Sequence, residues 1–117
     1  MSRIAIVDLE VFYCVGVPEE ERSKPQRLLL TVELNLNFDS ASVSDRIEKT
    51  IDYNEIAQDL LHYGEGRSWK LLEKLVANLA DRIMTQYRPQ SVAVEAKKFV
   101  IPQARYVSVA TSRTRGR

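Results

Sequence analysis

The stretch Leu28-Leu29-Leu30-Thr31-Val32-Glu33-Leu34-Asn35-Leu36-Asn37 decides the fold class of this chain. Every second residue from Leu28 to Leu36 is apolar, and from Thr31 onward the residues between them are polar. Such alternation places the two sets of side chains on opposite faces of a β-strand. The pattern predicts a long strand with one face in the core and the other face outside it.

The segment before this stretch predicts a partner strand. Residues 4–16 are rich in Ile, Val, Phe and Tyr, but the alternation changes phase near Asp8, which indicates a β-bulge. A charged loop bounded by Gly16 and Pro25 connects the two strands, so we expect a long antiparallel hairpin. Residues 40–45 then form a polar connection.

Two helices are predicted after this connection. Apolar residues at helical spacing cover residues 53–63, with Asp52 as the N-cap and Gly64-Glu65-Gly66 as the stop. A second, longer helix is expected with Ser68 as its N-cap, and Arg88-Pro89 ends it.

The remainder of the chain predicts two more strands. Val92, Val94 and Ala96 alternate in a third strand, and residues 106–114 form a fourth. The order ββααββ predicts a single α+β domain over residues 1–117, with a four-stranded antiparallel sheet and two helices on one of its faces. The outer edges of such a sheet favour edge-to-edge pairing of copies, so we expect a homo-oligomer.

Composition excludes several classes of function. Lys and Arg number 17 against 16 for Asp and Glu, which is not the basic excess of a nucleic-acid-binding protein. No apolar run approaches the ~20 residues that cross a membrane. The lone Cys14 suits a reducing cytoplasm. With His62 the only histidine, we expect no zinc site and no other metal site.

The candidate site consists of separated polar residues beside apolar stretches: Glu21, Tyr53, Glu73 and Lys97. A carboxylate can accept two hydrogen bonds from the edge of an amidine-like heterocycle, and Lys and Tyr can transfer protons. Each of these residues also has an ordinary structural alternative. Glu21 would lie in a solvated acidic loop, Tyr53 would be a surface aromatic, Glu73 would start a helix, and Lys97 would end an edge strand.

Several motifs, in order and with matching spacing, resemble the dihydroneopterin aldolase family. The segments are Pro18-Glu19-Glu20-Glu21-Arg22-Ser23-Lys24-Pro25-Gln26-Arg27-Leu28, Ser44-Asp45, Ile51-Asp52-Tyr53, Leu71-Leu72-Glu73-Lys74-Leu75 and Lys97-x-x-x-Ile101-Pro102. The resemblance implies a tunnelling fold, in which four-stranded units join into tetrameric rings and two rings stack as an octamer. It also implies a pterin substrate, active sites between neighbouring subunits, and no cofactor.

The reaction that the resemblance implies is retro-aldol cleavage of dihydroneopterin to hydroxymethyl-dihydropterin and glycolaldehyde, in folate biosynthesis. Relatives also epimerise the side chain, so an epimerase side activity is expected. Two alternatives stay open: a dihydroneopterin-triphosphate epimerase, and a non-catalytic pterin-binding ring protein.

The resemblance also implies residue roles. Glu73 anchors the pterin with help from the Leu72 backbone. Tyr53 relays protons across a subunit boundary, and Glu21 reaches the side-chain hydroxyls. Lys97 is expected to be the general acid-base residue.

The position of the catalytic lysine rests on loop length. Counting back from Val107 and from Ile101-Pro102 indicates Lys97, and Lys98 occupies a position where relatives often carry Pro. Beside an apolar ligand, the pKa of Lys97 would fall below its ordinary value. For the triphosphate epimerase alternative, Lys98 or Arg105 would contact the phosphates.

Overall fold

A five-stranded sheet forms the body of the protein in the computed structural model, which describes residues 1–116. In chain order the elements are β1 (Ser2–Val15), α1 (Glu19–Arg22), β2 (Gln26–Leu36), α2 (Asp39–Ser44), a 3-10 turn (Ile47–Lys49), α3 (Tyr53–Tyr63), β3 (Ser68–Trp69), α4 (Leu72–Tyr87), β4 (Ser91–Lys98) and β5 (Val107–Thr114). The strand order is β3-β1-β2-β4-β5, in which β3 runs parallel to β1 and the other neighbours are antiparallel.

The β1–β2 hairpin contains the bulge that the sequence predicts. The register of the two strands shifts between Ile6 and Leu9. Asp8 lies in this shift with a φ of 56°, in the left-handed region, and its backbone N–H donates to Thr31 Oγ1 at 3.1 Å. The bulge changes which β1 side chains face the core, as the change of phase near Asp8 indicates.

One face of the sheet carries α3 and α4, and the core lies between these layers. The alternating residues of β2 that the sequence assigns to the core are all buried. Tyr13 on β1 extends into this core, where its hydroxyl donates to the carbonyl oxygen of Leu60 on α3 at 2.6 Å. The α+β class with helices on one face is therefore confirmed.

The two long helices start in different ways. Asp52 caps α3 as predicted, because its carboxylate accepts the N–H groups of Asn54 at 3.0 Å and Glu55 at 3.3 Å. The prediction that Ser68 caps α4 is wrong. The helix begins four residues later, at Leu72, because Ser68–Trp69 pair with β1 as a short parallel strand.

The structure adds elements that the ββααββ prediction omits. Strand β3 makes five strands instead of four, and α1 and α2 form within segments that the sequence treats as loops. Helix α3 has the predicted bounds, and β5 begins one residue later than expected. In residues 1–116, no helix combines the length and apolar character needed to span a membrane.

Candidate functional site

Strand β4 sends two adjacent lysines to opposite faces of the sheet. Val92, Val94 and Ala96 are buried on the helix-covered face, and Lys98 continues that phase with a relative exposure of 8%. Lys97 therefore lies on the uncovered face, because successive side chains alternate along a strand.

Lys98 forms an ion pair with Glu21. Its Nζ lies 2.7 Å from Glu21 Oε1 and 3.4 Å from the carbonyl oxygen of Val15. The Lys98 side chain is 10% exposed, and that of Glu21 is 37% exposed. A largely buried ammonium group is stable only when paired, so the carboxylate compensates for the lost hydration of Lys98. The open side of Glu21 remains accessible to a ligand.

The Glu21 side chain crosses directly over Gly16. A Cβ atom at residue 16 would lie 2.7 Å from Glu21 Cγ and 2.8 Å from Cδ, and it would overlap the carboxylate oxygen. Real Cβ atoms do not approach this closely, so only glycine at this position allows the observed path of Glu21.

Two side chains fix the short helix α1 that carries Glu21. The guanidinium of Arg22 donates to the carbonyl oxygens of Gly16 and Val17, each at 2.9 Å. The side-chain amide of Gln26 donates to the carbonyl oxygen of Glu21 at 2.8 Å. These bonds hold the loop between β1 and β2 in one conformation, which positions the carboxylate.

The same loop is joined to the start of α4. The Gly16 N–H donates to the Trp69 carbonyl oxygen at 3.0 Å, beside the parallel pairing of β3 with β1. Three residues after Trp69, α4 begins with the buried Leu72, and the exposed Glu73 follows it. The first backbone N–H groups of a helix have no partner within the helix, so this end offers hydrogen-bond donors next to the Glu73 carboxylate.

Tyr53 lies away from this end of the molecule. It is the first residue of α3 and is 61% exposed. The opposite end of α3, at Tyr63, packs against Trp69 with ring centroids 5.7 Å apart. A helix of this length separates its ends by about 15 Å. Tyr53 is thus not brought to the Glu21–Lys98 pair within one chain.

Lys97 has its own partners on the uncovered face. Its Nζ lies 2.9 Å from Asp8 Oδ1 and 4.8 Å from the centroid of the Tyr106 ring. The hydrogen bond that Lys97 donates to Asp8, reinforced by the negative charge of Asp8, holds the pKa of Lys97 above the ordinary lysine value. This direction is opposite to the lowering expected beside a bound apolar ligand, because a carboxylate at the bulge stabilises the ammonium form.

Of the four residues that the sequence predicts for the site, Glu21 and Glu73 lie at the same end of the fold. Tyr53 lies at the other end of α3, and Lys97 lies on the uncovered face of the sheet. Sequence reasoning gives Lys98 only as a candidate phosphate contact, whereas the structure pairs it with Glu21. The sequence contains a signal for this inward position. Val92, Val94 and Ala96 alternate as the buried residues of the strand, and Lys98 is the next residue in that series.

Metal-ligand residues do not cluster in the described part of the chain. Within residues 1–116, no group of three or more His, Cys, Asp or Glu side chains has the arrangement to hold a metal ion. His62 is exposed and lies 2.8 Å from Glu65 through its Nδ1 atom.

Comparison with known proteins identifies close similarity along nearly the whole chain. The family model described as dihydroneopterin aldolase matches residues 4–112. The dihydroneopterin aldolase of Haemophilus influenzae is 28% identical over 110 residues, which cover 93% of each chain.

Solved structures agree with this similarity. A Vibrio cholerae protein assigned as a dihydroneopterin aldolase superposes with a TM-score of 0.93 at 29% identity, covering 98% of both chains. Escherichia coli dihydroneopterin aldolase, solved in complex with neopterin, shares the tunnelling fold with a TM-score of 0.91 at 24% identity, covering 97% of this chain and 99% of that chain. Since the family model spans most of the sequence, this chain belongs to the dihydroneopterin aldolase family.

Proposed function

We propose that this protein is a dihydroneopterin aldolase that cleaves dihydroneopterin to hydroxymethyl-dihydropterin and glycolaldehyde, as a step of folate biosynthesis in the reducing cytoplasm. The observation that carries the proposal is the Lys98–Glu21 pair, 2.7 Å apart at a buried position beside the start of α4. A proton donor held against a partly exposed carboxylate is suited to a reaction that moves protons between oxygen and carbon.

The retro-aldol step needs one proton removed and one proton added. A side-chain hydroxyl loses its proton and becomes the aldehyde of glycolaldehyde as the carbon–carbon bond breaks. The electron pair of that bond enters the pterin ring, and the enamine-like intermediate then takes a proton at carbon. The ring acts as the electron sink, so the proposed mechanism contains no Schiff base and no cofactor.

Lys98 is the lysine that we propose for proton transfer. The sequence assigns this role to Lys97, but Lys97 lies on the uncovered face, where Asp8 keeps it protonated. Lys98 instead contacts the carboxylate of Glu21, which the family resemblance places against the substrate hydroxyls. Glu21 would orient those hydroxyls while the Lys98 amine exchanges a proton with the substrate.

Glu73 is proposed to bind the pterin ring. Its carboxylate is exposed at the start of α4, where it can accept two hydrogen bonds from the amino group and ring N–H of a pterin. The N–H of Leu72, the first residue of the helix, is available for an acceptor atom of the ring. Recognition of this kind discriminates strongly against rings without those donors.

The position of Tyr53 supports a site that is shared between subunits. If Tyr53 relays protons, as the resemblance implies, a second chain must supply it, because within one chain it lies at the far end of α3 from Trp69. We therefore propose a homo-oligomer built from rings, with two tetrameric rings forming an octamer and each site lying between neighbours.

A direct assay tests the proposal. The protein is incubated with dihydroneopterin, and glycolaldehyde and hydroxymethyl-dihydropterin are quantified together. Equal amounts of both products are expected. Absence of both products, in a protein that still binds pterin, would favour the non-catalytic pterin-binding ring protein. An epimer without glycolaldehyde would favour an epimerase.

A further inference from the structure

Trp69, the only tryptophan of the chain, is anchored by its side chain between three elements. It is 6% exposed, and its indole packs against Tyr13 of β1 and Tyr63 of α3, with ring centroids 5.5 and 5.7 Å away. The indole Nε1–H donates to Oδ1 of Asn78 on α4 at 3.0 Å. Ring packing fixes the plane of an indole more firmly than its position within that plane, whereas a hydrogen bond is directional. Asn78 therefore fixes what the two tyrosines leave free.

The backbone of Trp69 depends on this anchor. Strand β3 has only two residues, fewer than strands usually have, so its pairing with β1 supplies few hydrogen bonds. Lys70 and Leu71, which are both exposed, connect it to the first residue of α4 without regular structure. The hydrogen bond between Trp69 and Asn78 thus braces a short strand against the helix that follows it.

Through its backbone, Trp69 also holds the loop that carries Glu21. The carbonyl oxygen of Trp69 accepts the Gly16 N–H at 3.0 Å, and the Glu21 side chain crosses directly over Gly16. The Gly16 carbonyl is held as well, because it accepts the guanidinium of Arg22. A displacement of Trp69 would therefore move Gly16, and the position of the Glu21 carboxylate would change with it.

Helix α4 connects this anchor to the other half of the site. Glu73 lies at the start of the helix, and Asn78 follows five residues later, about 7.5 Å along the axis. Five residues turn an α-helix by about 140° beyond a full turn, so the two side chains leave the helix in different directions. Asn78 thus acts through Trp69 and not by contact with a ring that Glu73 binds.

We infer that Asn78 is a positioning residue for the cleavage reaction, and that it acts through Trp69 to hold Glu21 in register with the ring-binding end of α4. The inference rests on the proposed function, in which Glu73 binds the pterin ring and Glu21 contacts the hydroxyls of the substrate side chain. Without the Asn78 acceptor, both carboxylates remain, but their separation is no longer fixed. Ring binding should survive, because Glu73 belongs to α4 itself, whereas contacts with the hydroxyls should weaken.

Two ligands distinguish a positioning role from a purely structural one. Pterin, which lacks the hydroxylated side chain, and neopterin, which carries it, are titrated by calorimetry into the assembled protein, and kcat is measured with dihydroneopterin. Asn78→Leu removes the acceptor, and Asn78→Asp keeps an acceptor oxygen. Trp69→Phe removes the same hydrogen bond from the donor side and keeps an aromatic ring, so the test does not depend on the folding of one variant.

Asn35→Leu is the matched control. The Asn35 side chain also makes a hydrogen bond of 3.0 Å, to Ser91 Oγ, and the same substitution removes it. Ser91 begins β4 and lies seven residue steps from Lys98, about 23 Å at the usual rise of a strand. This variant loses a comparable bond far from Glu21. Thermal unfolding is recorded for every variant, and binding is measured well below the midpoint.

We expect the wild type to bind neopterin more tightly than pterin. In Asn78→Leu and Trp69→Phe, the affinity for neopterin should fall about 10-fold, as loss of a charge-assisted hydrogen bond implies, with kcat lowered by a similar factor and the affinity for pterin unchanged. Asn78→Asp should recover both values, and Asn35→Leu should keep them.

The inference is overturned by equal losses for the two ligands, by no loss in either variant, by the same pattern in Asn35→Leu, or by a wild type that binds the two ligands equally. Failure of the wild type to release glycolaldehyde would instead refute the proposed function, and the titrations would still decide the role of Asn78.

Discussion

Lys97 and Lys98 are neighbours in β4, yet their ammonium groups pair with carboxylates on opposite faces of the sheet. Lys98 Nζ lies 2.7 Å from Glu21 Oε1 on the helix-covered face, and Lys97 Nζ lies 2.9 Å from Asp8 Oδ1 on the other. The pleat of one strand thus gives one lysine to the candidate site and the other to the bulge of β1.

Replacing Gly16 with Ala should lower kcat/KM without unfolding the protein. The added Cβ overlaps the Glu21 side chain, so the carboxylate must leave its place beside Lys98. Overpacking of this kind costs about 1–3 kcal/mol, a loss that a folded domain tolerates. Steady-state kinetics and thermal unfolding measure the two effects. Gly116→Ala is the control, because its added Cβ would enter open space. If Gly16→Ala keeps the kinetics of the wild type, the position of the Glu21 carboxylate is unimportant for the reaction.

Glu73→Gln should weaken pterin binding by about 1–3 kcal/mol, because the amide replaces one acceptor with a donor and leaves a ring N–H unpaired. Calorimetric titration with a pterin analogue measures the change. The control is Glu20→Gln, because Glu20 is also an exposed acid and directly precedes Glu21. This variant should bind the pterin analogue as tightly as the wild type. Unchanged affinity in Glu73→Gln would reduce Glu73 to a helix-start residue.

Asp8→Asn should destabilise the protein in a pH-dependent way. Asp8 raises the pKa of Lys97 in the folded state, so its contribution to stability is complete below the unfolded pKa of 10.5 and disappears as the pH rises through the higher folded pKa. Urea unfolding should therefore show a stability difference from wild type at pH 7 that shrinks above pH 10.5. A difference that stays constant across this range would contradict the pairing of Asp8 with Lys97.

Mixed oligomers should recover activity if sites are shared. Tyr53→Phe and Lys98→Ala chains are each expected to have little activity alone. When the two are assembled together at random, about a quarter of the sites would contain both native side chains, each from a different chain. Activity of the mixture is compared with that of each pure variant. Confirmed oligomers without recovery would place both residues in one chain, and a monomer by light scattering would refute the assembly.

Much of the fold was predictable because its signals are local. The alternation in β2, the change of phase at Asp8 and the cap at Asp52 each depend on neighbouring residues, and each is confirmed. Strand β3 was not predictable, because a two-residue strand exists only through its pairing with Cys14–Val15, far away in sequence. For the same reason, Ser68 has the residue type of a helix cap but lies in a strand.

The candidate site was predictable only in part. Glu21 and Glu73 came from motifs, but their joining through the Gly16–Trp69 hydrogen bond depends on β3. Lys97 is favoured in the sequence by the number of residues that separate it from Ile101-Pro102 and from Val107. Such a count does not show which face of β4 a side chain occupies. The alternating burial along β4 carries that information, and it places Lys98 on the helix-covered face and Lys97 on the other face.

The most direct test compares Lys98→Ala with Lys97→Ala in the same assay for glycolaldehyde release from dihydroneopterin. Loss of a positioned proton-transfer group reduces the rate by ~10²–10⁴-fold. We expect a reduction of this size in kcat for Lys98→Ala, with pterin binding retained, and a much smaller change for Lys97→Ala. Near-normal turnover in Lys98→Ala, together with a large loss in Lys97→Ala, would contradict the assignment of Lys98 and return the catalytic role to Lys97.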